Sequence, residues 1–153
     1  MNECQRIADQ LRRAMEGDAW HGPALRELLQ GVSPEVAAGR PIPGLHSIWE
    51  IVLHIAAWTE VVRRRLHGDP TRLTPDEDWP AVAAPTEQAW KAALDRLAQA
   101  QRALVDELAS LSPDRLDEPI VAGMSSIYVT LHGVVQHHLY HAGQIAMLKK
   151  AGG

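Results

Sequence analysis

Apolar residues recur at intervals of three and four along almost the whole of this 153-residue chain, and no stretch alternates convincingly with period two. That pattern commits the chain to helices that each bury one face, and it leaves no material for a sheet core. Local punctuation sets where the helices run. A first helix is expected over about 3–16, with Ile7, Leu11 and Met15 on its apolar side, ended or bent by Gly17-Asp18. A second piece spans about 22–30, with Pro23 in its first turn. Ser33-Pro34-Glu35 opens a short turn of helix, with Ser33 at the N-cap and Pro34 at N1. Residues 39–44 are irregular by composition.

Ser47-Ile48-Trp49-Glu50 has the form of a capping box, and the helix it opens runs to about His67, with Gly68 beyond its end. Residues 69–85 hold Pro70, Pro75, Pro80 and Pro85 and read as a loop, long enough to be a functional cover or a crossover. A third long helix covers about 86–111, on a stripe of Trp90, Leu94, Leu97, Leu104, Leu108 and Leu111. Ser112-Pro113-Asp114 repeats the earlier Ser-Pro-acid turn, and a last helix runs from about Ser126 to Lys150, closed by two lysines that suit its C-terminus. Four main helices of roughly 15–25 residues make an all-α four-helix bundle with long connections, one domain over residues 1–153.

A weak internal echo appears at an offset of 79. Leu25, Leu29, Ser33, Pro34, Gly44, Ser47 and Ile48 fall on Leu104, Leu108, Ser112, Pro113, Gly123, Ser126 and Ile127. Duplication of a helical half and chance recurrence of helix-connection chemistry both account for it.

The net charge of −4 argues against a nucleic-acid binder, which would need a basic surface. The densest basic run, Arg63-Arg64-Arg65, falls late in a helix, where it complements the dipole and reads as a solvated face. No apolar run reaches the ~18–20 residues that span a bilayer, so no membrane partner is expected. Met1 to Arg6 lacks an apolar signal core, and Cys4, the single cysteine, permits no intramolecular disulfide; the expected location is the cytoplasm. The five tryptophans should constrain the core, because each buried indole N–H needs an acceptor.

The chemistry concentrates in His137-His138-Leu139-Tyr140-His141 and the Ala142-Gly143-Gln144 that follows. On a helix, His137 and His141 stack on one face about one turn apart, a good start for a transition-metal site. A third ligand must come from elsewhere. His54 qualifies best, because it lies inward among Ile51, Ile55, Trp58 and Val62. A lone core histidine is usually just hydrogen-bonded, but burying three without a metal would be strongly unfavourable. His138 is the alternative to His137. His46 and His67 read as exposed, His132 lies well round its helix, and His21 sits in a kink that places it nowhere in particular.

The H-E-x-x-H protease reading fails because His138 stands where the Glu base belongs, and no Glu-x-x-His exists for a di-iron site. Glu50 is four residues before His54 and could approach a metal, but its capping role explains it equally well.

The segments Leu45 to Trp58 and Gly133 to Ile145 together resemble the DinB/YfiT-like superfamily of bacterial helical-bundle metalloproteins. The first carries a histidine, an apolar step and a tryptophan; the second a His-x-x-x-His followed by x-Gly-Gln. The resemblance implies a divalent metal, commonly zinc or nickel, held by His54, His137 and His141, and a homodimer. It also implies, for some relatives, thiol S-transfer or isomerisation with a low-molecular-weight thiol cosubstrate. The expected function is therefore metal-dependent thiol S-transfer to a small-molecule electrophile. The alternatives are a non-catalytic metal-binding stress-response protein and an interaction module with structural histidines. Tyr140 and Gln144 are candidate orienting groups, and Gly143 a candidate point of close helix approach. No catalytic residue is assigned.

Overall fold

The computed structural model describes residues 1–152. Among them seven α-helices form, and no strand: α1 (Glu3–Glu16), α2 (Leu25–Leu29), α3 (Pro34–Ala38), α4 (Ile48–Leu66), α5 (Pro75–Asp78), α6 (Glu87–Ser110) and α7 (Ile127–Ala151). The four long ones, α1, α4, α6 and α7, are the expected four. α4 and α1 each pack against both α6 and α7, which closes the bundle. The short helices lie in the connections, so the count of four holds for the bundle and not for the chain.

The helix starts follow the local chemistry. Ser47 Oγ accepts from Glu50 N at 3.2 Å while the Glu50 carboxylate accepts from Ser47 N at 2.7 Å, the reciprocal bond pair of a capping box. Ser33, Thr86 and Ser126 cap α3, α6 and α7 in the same way from one side. Gly68 takes φ +84° just after α4, a conformation that favours glycine. Pro23 departs from expectation. It precedes the N-cap Ala24 instead of entering the first turn, and α2 is only five residues long. The stretch read as a loop over 69–85 contains α5, a single turn capped by Thr74 with Pro75 at its first position.

Two apolar clusters fill the bundle. One joins Trp49, Ile51, Val52, Ile55 and Trp90 to Ile145 and Leu148; the other joins α1 (Ile7, Leu11) to Leu104, Leu108, Ile127 and Leu131. Trp90 satisfies its indole by donating to the Val32 carbonyl at 2.8 Å. Trp20 is fully exposed, so not every tryptophan shapes the core.

The internal echo has a structural counterpart before α4 and α7. Gly44 and Gly123 take φ +80° and +79°, Ser47 and Ser126 are both N-caps, and Ile48 and Ile127 are both buried. It breaks down elsewhere: the segment bearing Leu25 and Leu29 is a separate short helix, whereas Leu104 and Leu108 lie within continuous α6. No helix among the described residues is long and apolar enough to cross a membrane.

Candidate metal centre

α4 and α7 pack side by side, and their facing stripes bring His54, His137 and His141 together. His54 and His141 are buried, at 6% and 4% exposure, and His137 is half-buried. One ring nitrogen from each lies within 4.8 Å of the others. The Nε2 atom of His137 sits 3.0 Å from Nε2 of His54 and 3.1 Å from Nε2 of His141.

Hydrogen bonds on the far side of two rings decide what those nitrogens carry. A carbonyl oxygen only accepts, so His54 Nδ1, 2.7 Å from the Asp78 carbonyl, must hold the ring proton. The Asp78 carboxylate lies 3.0 Å from the same nitrogen. His141 Nδ1 likewise donates to Gln144 Oε1 at 2.6 Å. Both Nε2 atoms are then bare lone pairs aimed at His137. A single proton on His137 Nε2 can serve only one of them. Three convergent nitrogens with this proton arrangement fit a cation better than they fit one another, and neutral imidazoles are the form that binds metals.

Burial keeps them neutral. Desolvation, with the neighbouring His141 and His54 adding to it, pushes His137 down to about 3. Desolvation lowers His141 to about 4, against an opposing pull from Gln144. His54 is also lowered by burial, partly offset by Asp78.

Trp79 roofs the cluster. Its ring stacks flat on His54 (3.8 Å, 7° between planes) and, on its other face, on His46 (3.6 Å, 4°). The proline-rich segment therefore does cover the site, through α5, which ends in Asp78, and the Trp79 that follows it. Beside the histidines opens a cavity of about 410 Å³, lined by His54 and His137 with Trp58, Val134, Arg65 and Asp78. Among the described residues Asp78 is the one carboxylate in that lining, and it is engaged: it also accepts from Trp58 Nε1 at 2.5 Å.

The remaining candidates fall elsewhere. His138, the alternative to His137, is wholly buried but points away from the cluster, with Nδ1 2.8 Å from the Val134 carbonyl and Nε2 3.0 Å from Gln101 Oε1. Glu50 is taken up by Ser47 and by an ion pair with Arg40, so it is a cap and not a fourth ligand. His67 is exposed and pairs with Glu107 at 3.1 Å, and His132 lies near Tyr128 and Glu3. His46, expected to be exposed, is half-buried under Trp79. Tyr140 is 66% exposed and lines a smaller cavity of about 200 Å³ on the far side, with His141 and Gln144. Gly143 is exposed, and a Cβ there would meet nothing within 4 Å, so it mediates no close helix approach.

Asp78 and Trp79 were missed by the sequence reading. The signal available was Thr74-Pro75-Asp76-Glu77, a capping box with proline at N1. Arg65 also departs from it, because its guanidinium lies over Trp58 at the mouth of the cavity and not on a solvated face.

No curated protein and no solved structure gives a significant match to the chain. The family model of the DinB superfamily matches residues 19–145, a span that takes in all three histidines, the whole of α4 and most of α7. The chain belongs to the DinB superfamily.

Proposed function

We propose that this protein is a metal-dependent enzyme that transfers a small thiol to an electrophile. The observation that carries the proposal is the convergence of three neutral imidazole nitrogens, two of whose rings, His54 and His137, line an open cavity. Three protein ligands beside open space are the arrangement of a catalytic site, whereas closed four-ligand sets are structural. His54, His137 and His141 would hold the ion, which would supply a Lewis acid that lowers the pKa of a thiol joining it. Zinc or nickel is the proposed ion, a homodimer the working form and the cytoplasm the location.

The chain's own residues do the rest. The Asp78 carbonyl and Gln144 hold His54 and His141 in the tautomer that points a lone pair inward. Trp79 excludes water from one side of the cluster. Trp58, Val62 and Val134 give the cavity an apolar wall against which an electrophile packs. In the transfer, sulfur forms a bond to the electrophilic carbon, the leaving group departs with its electron pair, and the thiol proton passes to solvent through the open mouth. A thiolate nucleophile needs no protein base at that moment, which suits a cavity whose carboxylate is already engaged.

That engaged carboxylate is also the observation favouring a second proposal, a metal-binding stress-response protein without turnover. A panel of biological thiols and electrophiles, tried with the metal-loaded protein, separates the two. Thiol-dependent turnover that disappears on chelation supports the enzyme; silence across the panel supports the binder. A further expectation concerns Gln144. Gln144→Leu removes the acceptor that orients His141 and should weaken metal affinity about 10–100-fold, measured by competition with a chromophoric chelator. Unchanged affinity would mean that the Gln144 bond does not prepare the ligand.

A further inference from the structure

The cavity beside the histidines has a second polar end. Arg65, in the last turn of α4, lines it and also lines an adjoining cavity of about 530 Å³ whose wall includes Arg72. One indole separates the guanidinium from the histidines: Arg65 Cζ is 5.7 Å from the Trp58 ring centre, which is 6.4 Å from that of His137. Arg65 Nη2 donates to the Thr71 carbonyl at 3.3 Å, but its Nε is buried without a hydrogen-bond partner. A buried guanidinium N–H left unpaired is unfavourable unless something arrives to accept from it.

Its neighbours in sequence are paired: Arg63 with Glu107 at 2.8 Å and Arg64 with Asp69 at 3.9 Å. Among the described residues neither Arg65 nor Arg72 has a carboxylate within 4.0 Å. The two nearby acids are occupied. Asp69 accepts from the Thr71 backbone and hydroxyl, and the Asp78 carboxylate accepts from Trp58 and lies 3.0 Å from His54 Nδ1. Burial, together with the like charges of Arg72 and Arg64, lowers the pKa of Arg65, which marks a cation short of compensation.

We infer that Arg65 and Arg72 form a subsite for the carboxylate of the small molecule whose other end reaches the three histidines. This rests on the reading of the cavity as a thiol site. Two coplanar carboxylate oxygens match the donor fork of a guanidinium, and a cation–π contact with Trp58 places that fork at the cavity. The ligand is then a thiol acid: sulfur toward the histidines, an apolar middle along Trp58, and a carboxylate at the arginines.

The test uses thiol acids of two to four methylenes, each against its own amide, titrated calorimetrically into the metal-loaded protein. At least one acid should bind about tenfold tighter than its amide, as expected for a charge-assisted pair. Arg65→Met should bring the two within about twofold, and so should Arg72→Met, an exposed position where folding is not at risk. Equal affinity of every acid and its amide in the wild type, or a preference that survives both substitutions, overturns the subsite. If no thiol binds, the thiol reading itself fails, and the subsite is judged separately with glutarate by Trp fluorescence. Glutarate binding lost in Arg65→Met upholds it, and no glutarate binding overturns it.

Discussion

His141→Ala should weaken divalent-metal binding by about a hundredfold to a thousandfold, whereas His67→Ala should leave it unchanged. The magnitude follows from ligand number: zinc held by four ligands binds with about 10–16 kcal/mol, so one ligand is worth about 2.5–4 kcal/mol. His54→Ala and His137→Ala should match His141→Ala, because the three Nε2 atoms form one set. His67 is the control because it is exposed and bonded to Glu107, outside the cluster. His138→Ala should behave differently from both. It opens a void between α7 and α6 and strands Gln101, so it should lower stability more than metal affinity. Competition with a chromophoric chelator measures the affinities. Equal losses for His141→Ala and His67→Ala would show that the cluster is not the binding site.

Acid should destabilise the protein steeply, starting near pH 6.5. His137 is held down to about 3, and His138 and His141 to about 4, while the unfolded chain titrates near ~6.5. Below that value the unfolded chain takes up protons that the folded chain refuses. The stability tied to these groups is therefore complete above about 6.5 and is lost as pH falls toward 3–4. For a histidine as buried as His138 the slope is about 1.4 kcal/mol per pH unit. Each kcal/mol moves the midpoint of a domain this size by about 2–4 °C. Thermal unfolding followed from pH 8 to 5 should give a flat Tm above pH 7 and a fall of several degrees per unit below 6.5. Bound metal should raise Tm without steepening the fall, because His137 and His141, held near 3–4 in the folded chain, take up no protons in this range with or without it. A Tm flat down to pH 5 would mean that these histidines are not held neutral by the fold.

The histidine cluster was legible in the sequence because helical periodicity fixes which side chains turn inward. His54 shares a stripe with Ile51, Ile55 and Val62, and the four-residue spacing of His137 and His141 does the rest. His138 shows the limit of that reasoning. It is more buried than either His137 or His141, yet it faces Gln101 and not α4, and burial alone does not say against which neighbour. Gln144, one turn after His141, was likewise within reach of the spacing. Asp78 and Trp79 were not. They end and follow a single turn of helix too short for any periodicity, in a segment whose prolines read as loop, and only the folded chain shows where it lands. Arg65 was readable in principle, since it lies seven residues after Trp58 on the same face. Its place in a run of three arginines at a helix end suggested solvent, and charge composition outweighed position.

The central claim is that His54, His137 and His141 jointly hold one divalent ion with an open coordination position. Metal analysis of the purified protein, coupled to X-ray absorption of the bound ion, tests it most directly. About one divalent ion per chain with three imidazole nitrogens in its shell is the expected result. A metal-free protein that keeps its full fold, with three neutral buried histidines and no gain in Tm on adding zinc or nickel, would contradict it.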